Sequence, residues 1–141
     1  MHNLERFIYV QKLNYENCLN EIKNGKKKSH WIWYIFPQLR ELGESYISDY
    51  FGISGLNEAR EYLNNEYLRN NLIEISTELL KLDDDIDNIL GEIDSLKLNS
   101  SMTLFKYADP TIEIFNKVID KFYSGKEDKI TVSLLTEIKK L

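Results

Sequence analysis

The stretch that decides the fold class of this chain is the run His30-Trp31-Ile32-Trp33-Tyr34-Ile35-Phe36-Pro37. Aromatic and β-branched residues favour strands, so intrinsic propensity alone predicts a β-strand here. No second stretch of the chain alternates convincingly between apolar and polar residues, so such a strand would have no partner. A short buried helix, capped by Ser29 and stopped before Pro37, is more consistent with the whole sequence. The chain is therefore predicted to be all-α.

Elsewhere, apolar residues recur at the three- and four-residue spacing of amphipathic helices. The periodic segments are Leu4 to Ile22, Ser45 to Phe51, Leu56 to Leu63, Tyr67 to Leu82, Ile86 to Leu90, Ile93 to Phe105, Ile112 to Phe122 and Ile130 to Leu141. The chain has only two prolines and six glycines, and it shows no internal repeat and no linker. These observations predict a single compact domain over residues 1–141, built from about seven to ten short helices.

Several polar residues mark where these helices should begin and end. Asn3 can cap the first segment and Asn24-Gly25 can end it, while Asn14 could divide it into two helices. The acidic run Asp83–Asp85 is placed to cap the short helix that follows, because carboxylates complement the positive end of a helix. Asp109-Pro110 has the pattern of a cap followed by a first helical turn.

Composition places the chain among ordinary globular proteins. Apolar residues make up 43% of its 141 residues and charged residues 29%, which excludes disordered, collagen-like and disulfide-stapled chains. The net charge of −5 argues against non-specific DNA binding. The single Cys18 is expected to be a buried thiol rather than a nucleophile. No apolar run resembles a signal peptide or could span a bilayer, so a cytoplasmic protein without a membrane partner is predicted, in the host cytosol if it is viral.

The first candidate site lies between the end of the first helix and the aromatic run. Three lysines precede a hydroxyl, an imidazole and two indoles in the sequence Lys26-Lys27-Lys28-Ser29-His30-Trp31-Ile32-Trp33. Lysines and a helix N-terminus can hold phosphate, and indoles can stack on a planar base. The alternative interpretation of the same residues is a solvated lysine turn, two core tryptophans and a structural histidine.

The second candidate site is the polar stretch Lys97-Leu98-Asn99-Ser100-Ser101-Met102-Thr103-Leu104-Phe105. On a helix, Lys97 and Ser101 share one face, as do Ser100 and Thr103. Hydroxyl groups inside a helix are mildly unfavourable because they compete for backbone hydrogen bonds. These side chains therefore predict either a buried polar network or a ligand.

Several familiar ligand motifs are missing from the sequence. There is no Gly-x-Gly-x-x-Gly, no P-loop and no Gly-x-Ser-x-Gly elbow. His2 and His30 are the only histidines beside a single cysteine, so a structural zinc site is not expected. The acidic cluster of residues 83–87 lacks the central glycine and the final glutamate of a calcium loop. No metal and no cofactor are predicted.

The two candidate motifs together resemble a family of unknown function, often mislabelled "calpastatin", that occurs in bacteria and in some viruses and fungi. The matching motifs are Lys27-x-Ser29-His30-Trp31-x-Trp33-Tyr34-Ile35-Phe36-Pro37-Gln38 and Lys97-Leu98-x-Ser100-Ser101-Met102-Thr103-Leu104-Phe105. The resemblance runs from about Leu4 to Leu135 and implies a single all-α domain, but no activity. A more distant likeness, in fold class and in the aromatic-proline motif, is to proteins of NAD and ADP-ribose metabolism.

We expect the chain to bind a small phosphorylated nucleotide, of which an ADP-ribose or cyclic ADP-ribose type signal is the best single candidate. Lysines and hydroxyls of both sites would hold phosphate, aromatic rings would stack on the base, and Gln38 would read its edge. Arg6 and Gln11 would close the far side if the first helix packs across. The predicted ligand-binding residues are Arg6, Gln11, Lys27, Lys28, Ser29, His30, Trp31, Trp33, Tyr34, Gln38, Lys97, Ser100 and Ser101.

Two further hypotheses belong to other classes of protein. A hydrolase or transferase acting on an ADP-ribosyl or N-glycosidic bond would use His30 or Asp94 as general base. A helical protein-interaction module would show an exposed apolar patch and no response to small molecules. The composition permits a monomer, and the amphipathic helix predicted from Tyr67 to Leu82 could equally form a homo-oligomer.

Overall fold

The computed structural model describes residues 2–140, with the side chains of residues 2–137. Over these residues the chain forms nine α-helices and one 3-10 turn. In chain order they are α1 (Glu5–Lys23), α2 (Ile32–Ile35), the 3-10 turn (Arg40–Leu42), α3 (Tyr46–Phe51), α4 (Leu56–Asn64), α5 (Glu66–Leu80), α6 (Ile86–Leu90), α7 (Glu92–Ala108), α8 (Glu113–Tyr123) and α9 (Lys129–Lys140). An isolated bridge joins Leu39 to Ile53, and the described residues contain no strand. The prediction of a single all-α domain is confirmed.

Helix α7 lies at the centre of the domain. It packs against α4, α6, α8 and α9, while α5 packs against α1 and α8. A helix on the surface of a domain buries one stripe, but six consecutive residues of α7, from 100 to 105, are buried. The polar stretch predicted as the second candidate site is therefore largely interior, and only the first turns of α7 reach the surface.

The decisive aromatic run forms the four-residue helix α2 between two extended segments. Trp31 occupies the N-cap position and makes no side-chain cap bond, so the prediction that Ser29 caps this helix is wrong. Ser29 lies too far upstream, and its hydroxyl instead donates to the carboxylate of Glu21. The helix ends at Phe36, directly before Pro37, as predicted. Its side chains are driven into the core, where Phe36 is completely buried.

Helix α1 runs without interruption from its first to its last turn. The N-cap residue of this helix is Leu4, so the prediction that Asn3 caps it is wrong; the Asn3 side chain accepts from the backbone N–H of Glu5 from one position further out. The helix ends at Asn24-Gly25, as predicted. Asn14 does not divide the helix, because its side chain donates back to the carbonyl of Val10 one turn earlier. Cys18 is buried as expected, and burial raises the pKa of its thiol to about 12, which keeps it protonated and unreactive.

Two predicted helix starts differ in detail from the structure. Asp85 is the N-cap residue of α6 but its side chain makes no cap bond, and Asp84 instead bonds to the Asn88 side chain and the next backbone N–H. Helix α8 begins at Glu113, later than predicted, because Asp109 and Thr111 bond to each other in a separate turn. In both places an aspartate side chain forms its hydrogen bonds within a local turn rather than with the free N–H groups at the start of the helix.

The last helix follows its predicted pattern only in part. Leu135 is 2% exposed, whereas Ile130 is 62% exposed and points away from the core. Thr131 takes the buried place near the start of α9, where its hydroxyl donates to Asp128. Leu134 is half-buried against the core. The remaining two apolar positions of this pattern are Ile138, whose side chain is outside the described part, and Leu141, which lies outside it altogether. None of the described helices is both long and apolar enough to cross a membrane.

Helix α3 is held close to its neighbours by two glycines. A Cβ atom built on Gly43 would lie 2.3 Å from the Cβ of Ser48 and 2.8 Å from the Trp33 ring. A Cβ atom on Gly52 would lie 2.5 Å from the Cα of Arg40. Such approaches leave no room for a side chain, so the glycines let α3 pack directly beside α2.

Candidate functional site

A cleft of about 310 Å³ opens between the loop before α2, helix α3 and the first turns of α7. Its apolar lining consists of Trp31, Ile32, Trp33, Tyr34, Ile47 and Phe51. Its polar lining consists of Lys27, His30, Ser45, Asp94 and Lys97. The fold therefore brings the lysine and aromatic residues of the first candidate site together with Lys97 of the second, although they are far apart in the chain.

The charged groups of the cleft are organised around Asp94. One of its carboxylate oxygens, Oδ2, lies 2.7 Å from Nζ of Lys27, whose side chain is only 6% exposed. The other, Oδ1, lies 3.8 Å from Nζ of Lys97, whose side chain is 33% exposed. The Lys27 ammonium also donates to the carbonyl of Ser29 and lies 4.9 Å from the centre of the Trp31 ring. Lys27 is thus held in place, while Lys97 is the more accessible cation.

Glu21, which the sequence analysis did not single out, fixes the wall of this cleft. Its Oε1 accepts from the backbone N–H groups of Lys28 (2.6 Å) and Ser29 (3.0 Å) and from the Trp31 indole (2.9 Å). Its Oε2 accepts from the Ser29 hydroxyl at 2.7 Å. The backbone N–H of Lys27 donates to the carbonyl of Ile89 in α6 at 2.7 Å. These hydrogen bonds hold the backbone of the lysine loop in place.

The pKa of Glu21 reflects this arrangement. Partial burial alone would raise it, but the hydrogen bonds from Lys28, Trp31 and Ser29 outweigh burial and lower the pKa to about 2. The carboxylate is consequently ionised at neutral pH. The only hint in the sequence is an acidic residue one turn before the end of α1, next to a lysine run, and many surface helices have the same pattern.

The aromatic residues of the cleft differ in how much of each ring is accessible. Trp31 and Trp33 are 2% and 7% exposed, so they offer edges rather than faces to a ligand. Tyr34 and Phe51 are half-buried, and their ring centres lie 5.5 Å apart. Burial raises the pKa of Tyr34 to about 12, so its hydroxyl is protonated and can donate. Phe51 and Ile47 were not predicted site residues, and Ile47 is 54% exposed at the rim.

Arg6 does not line the cleft, contrary to the sequence prediction. Its guanidinium lies 2.8 Å from the carboxylate of Glu58 and donates to the carbonyls of Tyr50 (2.8 Å) and Gly52 (3.0 Å). These bonds connect α1 to the end of α3 and to α4. Arg6 therefore has a structural role at a junction of three helices.

Gln11 is also absent from the cleft. It is 1% exposed, and its amide nitrogen donates to the carbonyl of Tyr34 (2.8 Å) and the hydroxyl of Tyr62 (2.9 Å). Its amide oxygen accepts from Asn71 at 3.0 Å. All of its hydrogen-bonding positions but one are used inside the protein, so Gln11 connects α1, α2, α4 and α5 rather than contacting a ligand.

Five other predicted residues do not line the cleft. The Lys28 side chain is exposed, and Ser29 is bonded to Glu21. Ser100 donates to a carbonyl of its own helix and is 7% exposed. Gln38 and Ser101 are 1% and 0% exposed, and within the described residues neither Gln38 Nε2 nor Ser101 Oγ has a hydrogen-bond partner.

The arrangement favours binding over acid–base chemistry. Asp94 is engaged by two lysines, which makes it a poor general base, and His30 is exposed at the rim with no hydrogen bond to any described residue. Residues 2–137 contain no group of three or more His, Cys, Asp or Glu side chains placed to hold a metal ion. What the cleft does offer is accessible positive charge beside an apolar and aromatic surface.

Comparison with known proteins gives a relative of known structure but no activity. No curated protein matches the chain. The crystal structure of the conserved hypothetical protein Rv1873 from Mycobacterium tuberculosis is 41% identical over 95% of this chain and 96% of that one, with a TM-score of 0.93. The family model described as "Protein of unknown function (DUF1810)" matches residues 1–135. The chain therefore belongs to this family.

Proposed function

We propose that the protein binds a small phosphorylated nucleotide in the cleft between the lysine and aromatic loop and the first turns of α7. The observation that carries this proposal is the placement of Lys27 and Lys97 in one cleft whose remaining lining is mainly aromatic and apolar. An ADP-ribose or cyclic ADP-ribose type signal is the first ligand to test.

Each part of a nucleotide has a matching surface in the cleft. Lys97 is accessible and can pair with a phosphate oxygen. The half-buried rings of Tyr34 and Phe51 can contact a planar base, and Ile47 can cover its edge. His30 and Ser45 offer hydrogen bonds suited to a ribose hydroxyl. A ligand pocket combines a mainly apolar lining with few polar groups in this way.

The size of the cleft limits how much of a ligand it encloses. At about 310 Å³ it lies at the lower end of the range for small-molecule sites. One base and one phosphate group account for most of that space. The second half of an ADP-ribose would then lie over the exposed rim, beside Ile47 of α3.

A thermal-shift panel with NAD, ADP-ribose, cyclic ADP-ribose isomers and cyclic dinucleotides tests the proposal. A ligand at a hundred times its Kd should stabilise the protein by about 2.7 kcal/mol and raise Tm clearly. Lys97→Glu should abolish that shift without changing the Tm of the free protein by more than a few degrees. Lys126→Glu, at an exposed lysine that is not part of the cleft lining, makes the same charge change and should keep the full response. Retained affinity in Lys97→Glu would overturn the proposed pocket.

Chromatography of each ligand after incubation separates binding from catalysis. A ligand that is recovered intact from denatured protein indicates sequestration or sensing. A ligand that is consumed indicates a hydrolase or transferase and directs attention to His30, which lines the cleft. No shift with any ligand would instead favour a protein-interaction module, for which the exposed Tyr46, Ile47 and Tyr50 of α3 provide an apolar surface.

A further inference from the structure

We infer that Asp94 makes the cleft selective for phosphate groups that carry one negative charge each, as in phosphodiesters and in the internal phosphates of a diphosphate diester, over a terminal phosphate. This inference rests on the proposed function. It assigns Asp94 a role in specificity, in place of the role as general base considered from the sequence.

The geometry gives the cleft a small net charge. Asp94 contacts both lysines, with Oδ2 2.7 Å from Lys27 Nζ and Oδ1 3.8 Å from Lys97 Nζ. With neutral imidazole, these three side chains carry the formal charges among the described residues that line the cleft. Two ammonium groups and one carboxylate give a net charge of +1. The carboxylate itself is 18% exposed, so it faces any anion that approaches Lys97.

The two lysines are not equivalent partners for a ligand. Lys27 is 6% exposed and is already paired with Asp94 and with the carbonyl of Ser29. Lys97 is 33% exposed and sits at a longer distance from Asp94, so it is the cation that can turn toward a phosphate. The first negative charge on a phosphate group can form an ion pair with Lys97. A second charge on the same phosphate has no further lysine to pair with among the described residues that line the cleft, and Asp94 repels it.

Phosphate esters differ in the negative charge that each phosphate group carries, and this is the property to which the cleft would respond. A diester carries one negative charge, whereas a terminal phosphate has a second ionisation with a pKa of about 6 and carries nearly two charges at neutral pH. Adenosine, 3′,5′-cyclic AMP and AMP share a base and a ribose, and they carry no charge, one charge and nearly two. They therefore report ligand charge with the ring system held constant.

Titration calorimetry at pH 8 and low salt, where imidazole groups are neutral, tests the inference with wild type, Asp94→Asn and Lys97→Gln. Wild type should bind cyclic AMP about tenfold more tightly than AMP or adenosine, the size expected for one unit charge at a partly exposed site. Asp94→Asn should tighten AMP about tenfold more than it tightens cyclic AMP. Lys97→Gln should reduce cyclic AMP to the affinity of adenosine and leave AMP binding no more tightly than adenosine.

The controls separate selectivity from loss of structure. Asparagine keeps an oxygen acceptor for Lys27, and an unchanged Tm shows that Asp94→Asn is folded. Lys97→Gln alters a partly exposed side chain, so the comparison does not depend on one variant. Asp83→Asn removes a fully exposed carboxylate (100%) outside the cleft lining and should leave every affinity unchanged.

The role of Asp94 in selectivity and the proposed nucleotide binding would be overturned by different outcomes. Equal binding of AMP and cyclic AMP by wild type, or an equal effect of Asp94→Asn on both, shows that Asp94 does not select by charge while leaving nucleotide binding intact. Absence of binding by all three adenosine compounds and by the larger nucleotides of the panel overturns the proposed function itself.

Discussion

Replacing Glu21 by glutamine should lower the free energy of unfolding by about 1–2 kcal/mol at pH 7 and by less than half as much at pH 3. Glutamine has the same shape, so its oxygen can still accept from Lys28, Ser29 and Trp31, and its amide can donate to the Ser29 hydroxyl. Only the charge is lost, and hydrogen bonds to charged groups are about 1 kcal/mol stronger than neutral ones. Because Lys28 and Ser29 are exposed, water compensates for part of that loss.

The pH dependence follows from the pKa of Glu21. Folding lowers this pKa from 4.5 to about 2, since the hydrogen bonds outweigh partial burial. A carboxyl group whose pKa is lowered by folding stabilises the protein above its unfolded pKa, and that contribution is lost as the pH falls through the folded pKa. The difference in stability between wild type and Glu21→Gln should therefore be largest above about pH 5 and shrink steadily toward pH 2.

Urea denaturation followed by tryptophan fluorescence measures this difference, and Trp31 reports on the same wall of the cleft. Both proteins would be compared at a series of pH values between 7 and 3. Glu16→Gln is the matched control, because Glu16 is exposed on the same helix and its side chain has no hydrogen bond within the described residues. A difference of equal size at pH 7 and pH 3, or none at pH 7, would refute the reasoning.

Two further substitutions test the packing. Phe105→Ala removes a completely buried ring from the centre of α7 and should cost about 3–5 kcal/mol in urea denaturation, and a loss below about 1 kcal/mol would show that the core is not tightly packed there. Gly52→Ala should cost about 1–3 kcal/mol in the same assay, since its Cβ would lie 2.5 Å from the Arg40 backbone. Gly55→Ala has open space and an extended φ of 166°, so it should be close to neutral; equal effects at the two glycines would contradict the packing described for α3.

The fold class was predictable because helical periodicity is a local property of the sequence. The helix breaks at Asn64-Asn65, Gly91 and Gly125 also follow from local chemistry, and the structure has helix ends at all three. The N-cap assigned to Ser29 failed because α2 begins only at Ile32, and Glu21 on another element binds the Ser29 hydroxyl instead. Rules for helix capping consider only neighbours in the sequence, so they do not include a partner such as Glu21.

The site was predictable only where its residues are close in sequence or reach the surface. Lys27 and Trp31 to Tyr34 line the cleft together because they follow one another along one loop and one short helix. Gln11 and Ser101 have residue types that suit a ligand, but they are interior because of partners and packing from distant helices. Phe51 and Ile47 come from α3, and no local pattern places α3 beside the aromatic run.

The burial of residues 100–105 of α7 on all sides has a consequence for how the cleft accommodates a ligand. Amide hydrogens in residues 100–105 should exchange with solvent only through global unfolding. Asp94 and Lys97 therefore belong to a helix that should be strongly protected from exchange. The opposite wall is α3, a six-residue helix whose Tyr46 is 86% exposed and which should open locally at a far lower free energy. The cleft therefore has a rigid wall at α7, which carries Asp94 and Lys97. Its opposite wall at α3 is more mobile and can adjust to the shape of a bound base.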